Sequence, residues 1–475
     1  MVQAQSGDSQ SVDPQSRDPQ AVDIVVLGGG SGGYACALRA AELGKSVVLV
    51  EKAKVGGTCL HVGCIPTKAL LHAGEVADLA RDSEQYGVKA SFDGIDMAAV
   101  SAYKDGVVNR LYKGLQGLIR GRGIKVVEAE GRLVSPTTVE AGGQRYEAGH
   151  VVLATGSAPK TLPGLEIDHE RVINSDDALA LQQIPGSVVI LGGGVIGVEF
   201  ASVWRSFGAE VTIVEALPHL LPMEDEASSK LLERSFRRRG ITFDIGARFS
   251  GVERTETGVR VSLESGRQYD ADLLLVAVGR GPVSEGLGYD EAGVALERGF
   301  VKTDEYCQTN VPSVSAVGDL IPTPQLAHVG FAEGILVAER LSGIRVAPIN
   351  YDGVPRIAYC DPEVASVGIT EAQAKERYGD DKVATVTYDL AGNGRSQILK
   401  TGGAVKLVAE KDGPVLGMHA IGSGVSELMA EAQLIYNWEA LPSEVAQLIH
   451  PHPTQSEAVG EAHLALAGKP LHMHS

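Results

Sequence analysis

Asp23-Ile24-Val25-Val26-Leu27-Gly28-Gly29-Gly30-Ser31-Gly32-Gly33 is an apolar run that ends in a glycine cluster. An alanine-rich helical stretch follows to Leu43, Gly44 stops it, and the strand Val47–Val50 closes on Glu51. The same order returns in Ser187-Val188-Val189-Ile190-Leu191-Gly192-Gly193-Gly194-Val195-Ile196-Gly197, a helical stretch to Phe207, a stop at Gly208, and Val211–Val214 closed by Glu215. In both units the stopping glycine lies 16 positions after the first glycine and the acid 23 positions after it. A strand, a glycine turn, a helix and a second strand ending in an acid form a dinucleotide-binding unit. The first glycine makes the tight turn, the second lets a pyrophosphate approach the backbone, and the third lets helix and strand pack closely. The helix N-terminus faces the phosphates, and the acid accepts hydrogen bonds from a ribose. One copy alone could be a glycine-rich turn without ligand; the matched pair implies two dinucleotides.

The bulk properties frame this reading. A chain of 475 residues is too long for one core and suggests about three domains. Hydrophobic residues make up 44% and charged residues 21%, an ordinary globular composition. The formal charge of −18 argues against nucleic acid or an anionic membrane as main partner. Local phosphate binding at helix N-termini is untouched by net charge. The cysteines, Cys36, Cys59, Cys64, Cys307 and Cys360, are too few and too irregular for a secreted disulfide framework. A cytoplasmic location is expected, where a disulfide is more often catalytic than structural. No run approaches the ~20 apolar residues of a membrane span. Residues 1–20, rich in Gln, Ser and Asp, read as a disordered tail.

Short apolar runs ending at glycine recur at Val151–Ser157, Leu273–Arg280 and Val314–Asp319 and read as buried strands. After Asn350 the texture changes to alternating strands such as Ala404–Ala409 and a helical stretch over Val425–Ala440, a separate α+β region. The expected fold class is α/β, with two Rossmann-like dinucleotide-binding domains and this C-terminal α+β domain.

Chemistry is concentrated in Gly56-Gly57-Thr58-Cys59-Leu60-His61-Val62-Gly63-Cys64-Ile65-Pro66-Thr67-Lys68. Two thiols four residues apart can close a tight disulfide loop, and the glycines let a large flat group lie against the backbone. Cys64 precedes a helix start with Pro66 in its first turn, where helix dipole and free amides favour a thiolate. Two buried inert thiols are the alternative. Lys68 lies one helical turn beyond Cys64. Glu215 would repel a 2′-phosphate, and no Lys or Arg stands between it and Lys230, which favours NAD over NADP unless a cation arrives from elsewhere. In His450-Pro451-His452-Pro453-Thr454-Gln455-Ser456-Glu457 a histidine and a glutamate suit acid–base work near neutral pH. Thr454 and Glu457 also fit a helix capping box, which would account for the glutamate alone. His61 beside the cysteines lacks paired metal-ligand spacing, so no metal site is expected.

These segments together resemble the flavoprotein disulfide reductases, in GGTCLHVGCIPTK, GGGVIGVE, TNVPSVSAVGD, PEVASVG and HPHPTQSEA, over residues Ala21 to about Ala467. The likeness is greatest to members that oxidise dihydrolipoyl groups. The resemblance implies FAD on the first dinucleotide fold, at Gly28, Gly30, Ser31, Gly33, Glu51, Lys52, Gly57, Thr58, Lys68, Gly131, Ala154, Thr155, Gly156, Ser157, Asp319, Leu326, Ala327 and His328. It implies NAD on the second, at Gly192, Gly194, Val195, Ile196, Gly197, Glu199, Glu215 and Gly279. Asp319 would hold the flavin's ribityl chain, although a helix N-cap would also explain it. Cys64 would touch the flavin while Cys59 exchanges with substrate. Lys68 would pair with Glu199 near the flavin, where a surface charge on a helix is the plain alternative for each. His452 would be the acid–base and Glu457 its orienting partner.

The implied domains are 21–160 for FAD, 161–280 for NAD, 281–350 returning to the FAD or central region, and 351–475 for dimerisation. A homodimer with shared sites follows. Its partners would be lipoyl domains of 2-oxo acid dehydrogenase acyltransferase subunits or a glycine-cleavage carrier protein, with no nucleic acid and no membrane. The competing functions are a related disulfide or quinone reductase and a non-catalytic docking subunit. The sequence departs from the family pattern at His61, Val329, Cys360 and Gln455.

Overall fold

The computed structural model describes residues 20–473. The expected tail therefore lies outside the described residues, apart from Gln20, where the first strand begins. The chain forms two compact units, one from residues 20–57, 114–157 and 282–349, the other from 58–113, 158–281 and 350–473.

The first unit is built on a seven-stranded sheet. Its parallel part runs Lys125–Glu128, Val47–Glu51, Gln20–Leu27, Gln144–Leu153 and Val314–Ala316. Ile24 stands opposite Val47 and Leu27 opposite Val50. Ile24 to Leu27 and Val47 to Val50 are buried throughout, as parallel strands covered on both faces must be. The hairpin Gly131–Ser135 and Thr138–Ala141 extends the sheet antiparallel to Gln144–Leu153. The helix Ser31–Glu42 packs against Ala327–Leu341 at glycines: a Cβ on Gly334 would sit 2.3 Å from the Gly32 carbonyl oxygen.

The second unit contains a parallel sheet in the order Thr242–Ile245, Glu210–Glu215, Ser187–Leu191, Leu273–Val276 and Val172–Ile173, with Val195–Phe207 as the crossover helix. It also contains the C-terminal α+β fold. There an antiparallel sheet runs Arg356–Ala358, Glu363–Gly368, Val415–Gly422, Ala404–Glu410, Val383–Asp389.

Two expectations for this region are corrected. Ala404 to Ala409 are all buried and do not alternate, because both faces of the sheet are covered. One face packs on the helices Met429–Asn437 and Glu457–Leu466. On the other, Lys406 is buried with its ammonium between Asp225 at 2.8 Å and Glu371 at 2.6 Å, the pairing that makes a buried cation tolerable. The helical stretch from Val425 is a 3-10 turn followed by an α-helix that stops at Asn437, short of Ala440.

Candidate active site

The two glycine turns share the same close backbone approaches. Gly28 and Gly192 have φ of +110° and +112°, a conformation that side chains resist. A Cβ there would lie 2.2 Å from the Ala154 carbonyl oxygen or 2.3 Å from that of Ala277. A Cβ on Gly33 or Gly197 would lie 1.9 Å from the carbonyl oxygen of Gly28 or Gly192. Gly30 and Gly194 differ: among the described residues nothing lies within 4 Å of a Cβ on either. Each is the N-cap of its helix and no side chain caps it. Open space in front of uncapped amides is what a pyrophosphate requires, so both turns fit a dinucleotide. Ser31, Val195 and Ile196 occupy the first positions of these helices.

The acids have a second task that sequence spacing did not reveal. Glu51 accepts hydrogen bonds from Gly29 N–H (2.7 Å) and Ala53 N–H (2.8 Å). Glu215 accepts from Gly193 N–H (2.6 Å) and Leu217 N–H (2.7 Å). Each carboxylate ties the glycine turn to the end of its strand. Each oxygen keeps a lone pair for a ribose hydroxyl.

In the first unit, a Cβ on Gly57 (φ +58°) would lie 2.6 Å from Gly30 Cα, so Gly57 lies directly on the turn. Gly131 is buried, and a Cβ on it would strike Leu27 and Val50. Thr155 donates to the Val283 carbonyl at 2.6 Å, and Gly156 takes φ +69° beside it. Ser157 donates to Asp319 Oδ2 at 2.5 Å. Asp319 lies inside the 3-10 turn Gly318–Leu320, so the N-cap alternative is corrected. Leu326 caps the helix that Ala327 and His328 begin. Lys52 is exposed and lies 3.7 Å from Glu130.

In the second unit, Gly279 has φ +103° with open space above it, and Thr58 accepts a bond from Arg280 at 3.4 Å. Cys59 lies in the short helix Gly57–His61 and Cys64 opens the helix Cys64–Arg81, whose N-cap Gly63 lacks a side-chain cap. Both are free thiols and neither is fully buried, whereas Cys36, Cys307 and Cys360 are buried. Cys64 and Cys59 are hydrogen-bonded, the reduced arrangement of the pair. That bond, helped by the Lys68 charge and opposed by burial and Glu199, lowers the Cys64 pKa to about 7. Burial alone pushes Cys36 up to about 12.

Lys68 Nζ lies 2.8 Å from both oxygens of Glu199. Glu199 is buried on its helix, so the surface-charge reading of it is corrected. Burial pulls the Lys68 pKa down, but the Glu199 carboxylate outweighs it and holds the ammonium above the usual lysine range.

His452 Nδ1 lies 2.8 Å from Glu457 Oε1, and Glu457 Oε2 accepts the Thr454 N–H at 2.8 Å. Burial raises the Glu457 pKa, but the Thr454 amide and His452 outweigh it and hold the carboxyl below its usual range. The capping-box alternative is corrected here. The helix starts at Glu457 with Ser456 as N-cap, and Thr454 Oγ1 donates to the Pro451 carbonyl (2.6 Å) and does not accept from a helix amide. His450 turns elsewhere, to Glu431 at 2.8 Å.

Residues 22–334 match the model of the pyridine nucleotide-disulphide oxidoreductases, and residues 354–463 match the dimerisation domain of the same family. The chain belongs to this family. It is 40% identical to a dihydrolipoyl dehydrogenase of Bacillus subtilis over 95% of this chain and 99% of that one. It is 39% identical to the mitochondrial dihydrolipoyl dehydrogenase of Pisum sativum, over 95% of this chain and 92% of that one. The crystal structure of LpdA from Mycobacterium tuberculosis superposes with a TM-score of 0.87 and 27% identity, covering 94% of this chain and 99% of that one.

As a pyridine nucleotide-disulphide oxidoreductase, this flavoprotein works with FAD and a nicotinamide dinucleotide. Its dihydrolipoyl dehydrogenase-like site contains residues that the sequence did not announce. Tyr359 donates its N–H to Glu199 Oε1 at 2.9 Å, and its ring centroid lies 4.9 Å from Lys68 Nζ. Asn393 donates to the Thr454 carbonyl at 2.9 Å. Neither is near its partner in sequence, so no local signal could have found them.

Proposed function

We propose that this chain oxidises protein-bound dihydrolipoyl groups to lipoyl with reduction of NAD+ to NADH. It serves as the shared dehydrogenase of 2-oxo acid dehydrogenase complexes or of a glycine-cleavage system. The observation that carries the reading is the depressed Cys64 thiol, hydrogen-bonded to Cys59, in a chain similar to dihydrolipoyl dehydrogenases along 95% of its length. The segments 21–160, 161–280, 281–350 and 351–475 act as FAD-binding, NAD-binding, central and dimerisation regions.

The residues work as follows. Glu457 holds His452 Nδ1 as its N–H, which leaves Nε2 to take the proton from a dihydrolipoyl thiol. The thiolate attacks Cys59 of the oxidised pair; the Cys59–Cys64 bond breaks and Cys64 leaves as thiolate. The Lys68 charge, which favours the Cys64 thiolate, eases that departure. The second dihydrolipoyl sulfur attacks the first, the bond from that sulfur to Cys59 breaks, and the proton this second thiol gives up passes to Cys59, so the pair ends as Cys59 thiol and Cys64 thiolate with His452 protonated. Gly28, Gly30, Gly33, Glu51 and Asp319 would hold FAD, which would supply two-electron chemistry between the cysteine pair and NAD. Lys68 offers a cation to that chemistry, and Glu199 fixes it. Glu215 takes the NAD ribose; its carboxylate disfavours the extra phosphate of NADP.

The working form is a homodimer in which His452 of the partner subunit serves Cys59. Support comes from the dimerisation match over 354–463 and from Trp438, Leu448 and Ile449, apolar side chains left exposed within it, Ile449 at 97%. The location is cytoplasmic, and no helix among the described residues is long and apolar enough to cross a membrane. The test is steady-state assay of the purified protein with dihydrolipoamide. NAD+ reduction should far exceed NADP+ reduction. An active enzyme that ignores dihydrolipoamide would overturn the substrate.

A further inference from the structure

His452 is 77% exposed at its side chain and lies in a segment without regular secondary structure. An exposed imidazole there takes its position from what anchors its backbone. Glu457 supplies one anchor by accepting the Thr454 N–H. The second comes from Asn393, which is 2% exposed and donates Nδ2–H to the Thr454 carbonyl at 2.9 Å. The chemistry fixes which way this carboxamide faces. Its other end accepts from Ser396 N–H (2.9 Å) and Ser396 Oγ–H (3.2 Å), as only oxygen can, so nitrogen faces Thr454. Asn393 thereby caps the helix Gly394–Leu399 with one atom and holds the histidine loop with the other. The next residue, Gly394, lies beneath the same loop: a Cβ on it would be 3.9 Å from His452 Cε1 and 3.8 Å from Pro453 Cβ.

We infer that Asn393 is a positioning residue for the His452–Glu457 pair, clamping Thr454 from the carbonyl side while Glu457 clamps it from the amide side. This rests on the proposed role of His452 in accepting the thiol proton. A catalytic base displaced by about an ångström loses rate without loss of fold, of the order of 10²-fold in the severe case. Asn393→Asp isolates the clamp. Aspartate is as good a helix cap, but it has no N–H for the Thr454 carbonyl and sets a carboxylate oxygen against it.

The experiment uses the flavin-loaded enzyme and follows the two half-reactions separately by stopped flow, with dihydrolipoamide or with NADH as reductant. For Asn393→Asp we expect reduction by dihydrolipoamide to slow roughly tenfold or more at saturation, with reduction by NADH within about twofold of the parent enzyme. Ser396→Ala, which removes only a cap partner, should leave both rates unchanged. His452→Gln serves as the reference. If His452→Gln is slow toward dihydrolipoamide and Asn393→Asp is not, the clamp is overturned and the function stands. Equal losses in both half-reactions of Asn393→Asp also overturn it, as general damage. If His452→Gln itself keeps full rate, the acid–base assignment falls and the clamp falls with it.

Discussion

Both carboxylate oxygens of Glu199 lie 2.8 Å from Lys68 Nζ, and Oε1 takes a further bond from Tyr359 N–H. Glu199 is 3% exposed, so the pair is a buried charge that only its partner makes tolerable. It joins the redox helix to the helix of the second dinucleotide turn.

Glu199→Ala should cost about 3 kcal/mol, because an ammonium is left without its carboxylate in a largely dry site. The midpoint of urea unfolding measures it. The raised Lys68 pKa gives the sign of the pH dependence: the contribution is complete below the ordinary lysine range and fades only as pH rises through the elevated value. Acid side chains aside, the gap between parent and Glu199→Ala should close in alkali and not at neutral pH.

Cys64 should alkylate with a rate that rises through about pH 7 in the reduced enzyme, while Cys36 and Cys360 stay inert. Cys59→Ala removes the largest cause of that shift, so the midpoint should move toward the ordinary thiol range. Stability follows the same sign: the reduced fold gains from the thiolate above the ordinary thiol range and loses the gain as pH falls through about 7. An unchanged midpoint in Cys59→Ala would contradict the hydrogen bond as cause.

Gly30→Ala and Gly33→Ala should separate binding from folding. The Gly30 side is open, so the variant should fold normally yet retain little flavin, read from the absorbance of the purified protein. Gly33→Ala would force a methyl to 1.9 Å from a backbone oxygen and should destabilise by about 1–3 kcal/mol or fail to fold. The pair Gly194→Ala and Gly197→Ala should repeat the contrast for NAD.

How much of this was legible in the sequence depends on range. The two glycine turns, their helix stops at Gly44 and Gly208 and the acids at Glu51 and Glu215 were readable because all their determinants lie within about one βαβ unit. The full burial of Ala404–Ala409 is hidden in the sequence, since an inward lysine mimics alternation while Asp225 and Glu371, distant in sequence, neutralise it. Glu457 drew two local readings, cap or histidine partner. The structure gives it Thr454 N–H and His452 together, by starting the helix at Glu457 itself. Tyr359 and Asn393 were silent because their contacts cross 160 and 61 residues of chain.

Glu215→Gln keeps the bond from Gly193 in shape but removes the charge. NADPH use should improve relative to NADH by roughly tenfold, about 1.4 kcal/mol, as the repulsion of a 2′-phosphate is relieved. The ratio of kcat/KM for the two dinucleotides checks it.

The central claim is that Cys59 and Cys64 pass electrons from a dithiol to flavin. Titrating the purified enzyme anaerobically with dihydrolipoamide while recording its visible spectrum tests this most directly. The account predicts a yellow protein that gains a long-wavelength thiolate–flavin band after one equivalent, and a Cys64→Ser variant that never shows it. A parent enzyme that stays unreduced, or that bleaches fully with no such band, would contradict it.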